Sequence, residues 1–159
     1  MGTNHPPQGD DHSASRAEGS LAVKADQVGA LCVRRRDNGS CQVLLITSRD
    51  TGRWVIPKGW RAKRLKDHKA AAREAAEEAG VSGKVRSKPI GCYTYPKIDD
   101  VGARPVRVDV FLLLVRREEN HWPEQDQRRR AWFDVGAAAR EVGELELRTL
   151  IKGVEHLSR

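Results

Sequence analysis

Apolar and polar positions divide the chain into short alternating runs, with turn residues between them and helical spacing further on. QVGALCVRRR (27–36) and QVLLITSR (42–49) read as strands, and the intervening DNGS (37–40) carries the Asn-Gly signal of a tight hairpin. RWVIP (53–57) reads as a short strand, because Pro57 biases Ile56 toward extended backbone. KVRSKPIGCYTYPKI (84–98) and RPVRVDVFLLLVRR (104–117) are two more strands. The second alternates and then turns continuously apolar, as a central strand does. AWFDV (131–135) suggests another short strand. Helical spacing runs over 67–79, starts again at GAAAREV (136–142) and continues through ELELRTLIKGVEHLSR (144–159). Strands mixed with helices predict a layered α/β or α+β domain. Residues 1–20 are polar, rich in Gly, Pro and Ser and without period, so a disordered tail is expected ahead of one domain at 21–159.

The helix at 67–79 raises a problem of charge. Asp67 suits an N-cap, and Gly80 suits the left-handed residue past the C-terminus. At 100° per residue, Ala72, Ala75, Ala76 and Ala79 share one side, while Glu74, Glu77 and Glu78 share the opposite side, extended by Ala70. Carboxylates three and four apart repel each other. They also sit at the negative end of the helix dipole. Two readings follow: a solvated acidic face, or a site for a divalent cation, since Mg²⁺ takes oxygen ligands from a few carboxylates, waters and substrate phosphates.

Composition narrows the partners. With 159 residues, 38% hydrophobic and 32% charged, one soluble domain with one core is expected. No apolar run approaches the roughly 20 residues of a membrane helix. The N-terminus shows no secretory pattern, and Cys32, Cys41 and Cys92 form no metal-ligand pair, so reduced thiols and a cytoplasmic location are expected. The net charge of +7 favours an anionic partner. Cations cluster at 34–36, at 128–130 and between Arg53 and Lys69, where only Asp67 opposes seven of them.

The stretch Gly59–Val81, GWRAKRLKDHKAAAREAAEEAGV, resembles the Nudix box, G-x5-E-x7-R-E-U-x-E-E-x-G-U with U apolar. Gly59, Arg73-Glu74, Ala75, Glu77-Glu78 and Gly80-Val81 match; Leu65 stands where the first glutamate is expected. The resemblance implies an α/β/α sandwich with a mixed sheet, and hydrolysis of a diphosphate linked to some group X with Mg²⁺ or Mn²⁺. It implies Glu74, Glu77 and Glu78 as metal ligands with the carbonyl of Gly59, and Arg73 as the residue that orients a catalytic glutamate. A divalent ion neutralises phosphate oxygens and activates water for attack on phosphorus. Glu77 or Glu78 suits the general base, and some members use an acid outside the box; Asp99, Asp100, Glu118, Glu119 and Glu124 are the candidates. Leu65 removes the usual partner of Arg73. Asp67 could approach the same region, Leu65 itself would pack on the domain, and a non-catalytic binding module stays open.

Outside the box, over residues 27–135, the chain is most similar to the diphosphoinositol polyphosphate phosphohydrolase branch, which also cleaves diadenosine polyphosphates. VLLITSRDTGRWVIPKG (43–59) and HWPEQDQRRRAWF (121–133) carry that likeness. By position, Ser48, Arg49, Arg128 and Arg130 would contact phosphates. Lys58 and Trp60 stand where the branch has glycines and would change the pocket mouth, with Lys58 placed among the substrate-binding residues. The basic run Arg61–Lys66 is either a phosphate collar or a solubilising loop. Trp54, Trp122, Trp132 and Phe133 are core or base-stacking residues, and Tyr93 and Tyr95 share a strand face that could line the site. The expected partner is an anionic small-molecule diphosphate. A nucleotide or RNA 5′-pyrophosphate ranks behind it, and no membrane is expected.

Overall fold

A computed structural model describes residues 25–157. The expected tail at 1–20, the start of the expected domain at 21–24 and the end of the last expected helix lie outside them.

Eight strands form one mixed sheet. They are β1 (Gln27–Arg35), β2 (Cys41–Thr47), β3 (Trp54–Val55), β4 (Lys58–Trp60), β5 (Val81–Val85), β6 (Gly91–Asp99), β7 (Gly102–Glu118) and β8 (Arg130–Asp134). Four helices accompany them: α1 (Asp67–Ala79), α2 (Val135–Glu141), α3 (Leu145–Lys152) and α4 (Val154–Leu157). The sheet runs β3-β2-β1-β7-β5, with β4 on β1, β6 on β7 and β8 on β2. Among the described residues only β1 and β7 pair in parallel, from Gln27↔Val108 to Val33↔Leu114.

Strand periodicity explains the layers. Successive side chains leave a strand on opposite faces, so two cores form from the same central strands. Val28, Ala30 and Cys32 of β1, Leu44 and Ile46 of β2, and Phe111 and Leu113 of β7 pack under α1. Their neighbours Leu31, Val33, Val43, Leu45, Val110 and Leu112 face the other way and meet Ala138, Leu147 and Ile151 of the C-terminal helices and Val142 between two of them. Both faces of the central strands are therefore buried, which yields the expected α/β/α sandwich.

The structure refines several sequence expectations. The hairpin at 37–40 closes with the Arg36 N–H donating to Ser40 O at 2.8 Å. The single strand expected at 84–98 is two, β5 and β6, laid end to end along β7. The Arg86 N–H reaches Leu112 O and the Ile90 N–H reaches Val110 O, so residues 87–89 loop out where Pro89 has no N–H to give the ladder. The last helix is divided at Gly153. β4 pairs with β1 through Gln27↔Trp60, Val28↔Gly59 and Gly29↔Lys58, an element the sequence pattern did not show.

Helix α1 has the expected limits but not the expected cap or faces. Lys66 occupies the N-cap position, with no side-chain cap bond. Asp67 is the first helical residue, and its carboxylate accepts a bond from Arg61 Nε at 3.0 Å. The buried residues are Ala70, Ala71, Ala75, Glu78 and Ala79. Ala76 is exposed and Ala72 half-buried. The stripe Ala71-Ala75-Ala79 seats the helix on the sheet, and this rotation carries Glu78 inward while Glu77 stays exposed.

Candidate active site

The C-terminus of α1 is held by the segment before β8. A helix leaves its last carbonyls without internal partners. Here the Glu124 N–H donates to Glu77 O at 3.1 Å, and the Glu119 N–H to Gly80 O at 2.8 Å. Trp122 Nε1 donates to Glu78 O at 3.1 Å, and Arg130 Nη1 to Ala79 O at 2.9 Å. Gly80 takes the left-handed conformation, φ 67°, that only glycine adopts freely. The Arg130 guanidinium also donates to Glu119 O and stacks 3.8 Å from the centre of the Trp122 ring. A cation thus sits at the negative end of the helix. This corrects the expectation for Arg130: it does not line the cleft and instead caps α1.

Next to that cap, Glu78 is 7% exposed. Its Oε2 accepts the Lys58 N–H of β4 at 3.2 Å, and its Oε1 lies 3.4 Å from Arg128 Nη2. Burial pushes the carboxyl up to about 7, against the downward pull of Arg128 and the Lys58 N–H. One turn earlier, Glu74 covers Gly59, where a Cβ would overlap its carboxyl group. Close approach of carboxylate to backbone is what this glycine permits. Burial and then the adjacent Glu77 raise the Glu74 pKa.

Glu74 and Glu78 open into a cleft of about 700 Å³. Ser48, Arg49, Lys58, Gly59 and Arg128 line it, so these five expected site residues come together around the two acids. Arg128 is the hub. It donates to Glu124 Oε1 at 2.9 Å, to Thr47 O at 3.1 Å and to Glu78. Arg49 donates to Gln127 Oε1 at 2.9 Å. Burial lowers the Lys58 pKa, opposed by Glu78, and its Nζ lies 4.9 Å from the Tyr95 ring centre.

Of the five acids considered outside the box, Glu124 lines this cleft and Asp99, Asp100, Glu118 and Glu119 do not. Asp99 lies within reach of Arg104, Glu118 meets Arg34, Arg130 and Trp132, and Glu119 pairs with Arg117. Sequence reasoning missed Glu144 and Gln27, which also line the cleft. Gln27 accepts the Tyr95 hydroxyl at 2.8 Å, and its one signal was an amide opening a strand that is apolar from Val28 to Val33. Trp54 and Phe133 meet edge to face at 5.0 Å against the core.

The chemistry of the donors fits a divalent ion. Two carboxylates lie at the Gly59 strand, and Mg²⁺ is commonly held by one or two carboxylates with waters and phosphates. Of the three expected glutamates, Glu74 and Glu78 line the cleft and Glu77 is exposed beside them. Arg73 is exposed and has no ion-pair partner within 4.0 Å among the described residues. Asp67, the compensating partner considered for it, is engaged by Arg61. Leu65 packs against the α1 core, as expected. Most of the basic run lies elsewhere: Arg61, Lys63 and Lys66 line a separate groove of about 760 Å³ at the start of α1.

Comparison with known proteins identifies the family: the chain belongs to the NUDIX domain family, whose match spans residues 25–153. Among curated relatives it is 39% identical over 103 residues to Nudix hydrolase 13, mitochondrial, of Arabidopsis thaliana, covering 61% of this chain and 51% of the relative. It is 32% identical over 109 residues to diphosphoinositol polyphosphate phosphohydrolase 3-alpha of Mus musculus, covering 67% and 63%. The chain thus spans about half the length of the plant relatives it matches. Among solved structures, an Ap4A hydrolase of C. elegans superposes with a TM-score of 0.59 at 17% identity, covering 86% of this chain and all of that one. The NUDIX domain of Shewanella oneidensis NrtR, solved with ADP ribose, gives 0.61 at 15% identity over 92% and 99%. At these identities the structures speak to the fold.

Proposed function

We propose that the chain is a divalent-metal-dependent pyrophosphohydrolase that cleaves a phosphoanhydride bond in a polyphosphorylated small molecule of the diphosphoinositol polyphosphate or diadenosine polyphosphate kind. One observation carries this reading: Glu74, over Gly59, and Glu78, at the Lys58 N–H, line one cleft whose other charged groups include Arg49, Lys58 and Arg128. Cations alone would bind phosphates without activating water. Carboxylates alone would repel them. A site with both suits a diphosphate that meets a metal at one end and guanidinium groups at the other. The mouse relative, 32% identical over 109 residues, is named for diphosphoinositol polyphosphate, which supports the substrate class.

Glu74 and Glu78, with the Gly59 carbonyl and Glu77 at the rim, would hold Mg²⁺ or Mn²⁺, which when bound would neutralise phosphate charge and acidify water. Arg128 presents a planar fork to phosphate oxygens, assisted by Arg49, Lys58 and the Ser48 hydroxyl. Glu124 is the one of the five acids expected outside the box that lines the cleft, beside Asp50 and Glu144, and it would take the proton from the attacking water. The three thiols support a reducing compartment, the cytoplasm. No helix among the described residues is long and apolar enough to cross a membrane.

The test is a Mg²⁺ and Mn²⁺ screen of nucleoside di- and triphosphates, diadenosine polyphosphates, sugar nucleotides and inositol pyrophosphates. Release of phosphate, or of the two products of anhydride cleavage, is expected from the diadenosine or inositol compounds. A strong preference for sugar nucleotides would sink the substrate class. A second reading, a binding module without turnover, is favoured by Arg73, which lacks an ion-pair partner among the described residues. It predicts ligand binding with every compound left intact.

A further inference from the structure

The proposed function leaves two substrate kinds open, one with an aromatic base and one without. Trp60 separates them. It follows Gly59 on β4, two residues from Lys58, so the two side chains leave the strand on the same face. Both line the cleft. Lys58 lies against the Tyr95 ring. Trp60 repeats that pairing further out, with Lys97 Nζ 5.8 Å and the Arg104 guanidinium 5.4 Å from its ring centre. Lys97 and Arg104 face each other across the β6–β7 ladder, so they approach the indole from one hairpin.

The inner pair is structural, because the Tyr95 hydroxyl is bonded to Gln27 and its ring packs on the core. The outer pair is not. Trp60 belongs to neither core cluster and is 46% exposed, and Ile98 of the same cleft is 80% exposed. An exposed cation–π contact contributes only about 0.5–1 kcal/mol. Stacking of a nucleobase on an aromatic ring is worth about 1–3 kcal/mol. A base therefore competes well for this indole, and the Arg104 guanidinium can then stack on the base.

We propose that Trp60 is a stacking platform for the nucleobase of the substrate, with Lys97 and Arg104 beside it. The preferred substrate is then a nucleoside polyphosphate of the dinucleoside kind. An inositol ring has no π face and gains nothing specific from the indole. This rests on reading the cleft as a diphosphate site.

The experiment compares wild type, Trp60→Ala and Trp60→Phe on diadenosine tetraphosphate and on a diphosphoinositol polyphosphate, with Mg²⁺. In parallel, binding of α,β-methylene-ADP, which has no cleavable anhydride, is followed by quenching of tryptophan fluorescence. Trp60→Ala is expected to raise KM for the dinucleotide about 10-fold, the lower part of the stacking range. Its kcat should stay within about twofold, and KM for the inositol compound should not move. Trp60→Phe should recover most of the loss, and the quench should disappear in both variants. Equal changes for both substrates, or an unchanged KM and quench, would overturn the platform while leaving hydrolysis standing. A Trp60-dependent quench in a protein that cleaves nothing would keep the platform and remove the hydrolase. No quench and no turnover would remove both.

Discussion

The two ends of α1 make an instructive pair. Both border a cavity of similar size, about 760 Å³ at the start and about 700 Å³ at the end. The start carries dense positive charge, yet Lys63, Lys66 and Lys69 are exposed and no side chain caps the helix. The end carries buried charge, and four carbonyls in succession, from Glu77 to Gly80, are taken by partners from another segment. Density of charge marks the first region; convergence of charge from several elements marks the second. Solvent screens the former, whereas the latter interacts at low effective dielectric and is positioned by structure.

The sharpest way to break the comparison is Glu78→Gln. It keeps the shape and removes the charge, and phosphate release should fall on the order of 1,000-fold with the melting temperature kept or raised. Full activity would strip the C-terminal region of its assigned role. Arg130→Ala tests the cap rather than the chemistry. Losing its bonds to Ala79 and Glu119 should reduce stability by about 2–3 kcal/mol in urea unfolding, while KM changes less than twofold. A raised KM at unchanged stability would return this arginine to the phosphates.

The titration of Glu78 gives a third check, on metal-free protein. Its folded pKa of about 7 lies above the ordinary value of 4.5, so between those values the native state binds more protons than the unfolded state. Stability should therefore fall as pH rises from about 4.5 to 7 and then level off, by on the order of 3 kcal/mol, and Glu78→Gln should flatten this part of the profile. Mg²⁺ at pH 7 should raise the melting temperature of wild type, because it binds the folded state. The smallest effect is expected at the other end of the helix. Lys63→Ala with Lys66→Ala should change stability by less than about 0.5 kcal/mol and turnover by less than about twofold. A large loss of turnover would show that the groove serves the same substrate.

Much of this frame is legible in the sequence, for local reasons. The Asn-Gly turn, the period-two strands and the alanine-rich helix ending at Gly80 are set by residues close in sequence. The spacing of the carboxylates in Gly59–Val81 belongs to the same class, since helical geometry alone puts Glu74 and Glu78 one turn apart. Pairings between distant segments are less legible. β4 has three residues and no pattern of its own, and exists because Gln27–Gly29 offers it an edge. Glu77 and Glu78 look alike in sequence, but rotation of α1 onto the sheet buries one and exposes the other. Arg128 and Arg130 look alike too. Arg128 reaches Thr47, Glu78 and Glu124 in the cleft, whereas Arg130 meets the helix end and Trp122.

The sequence by itself thus determined the secondary structure around the box, the family resemblance and the acids fit for a metal, because those depend on short-range geometry and residue chemistry. Only the tertiary structure decided which acids and which cations share one cleft, and that Trp60 stands open at it. Packing of α1 against the sheet and of the 118–130 segment against α1 sets the first, and the pairing of β4 on β1 beside the β6–β7 hairpin sets the second; no single stretch of the chain encodes where two distant stretches meet.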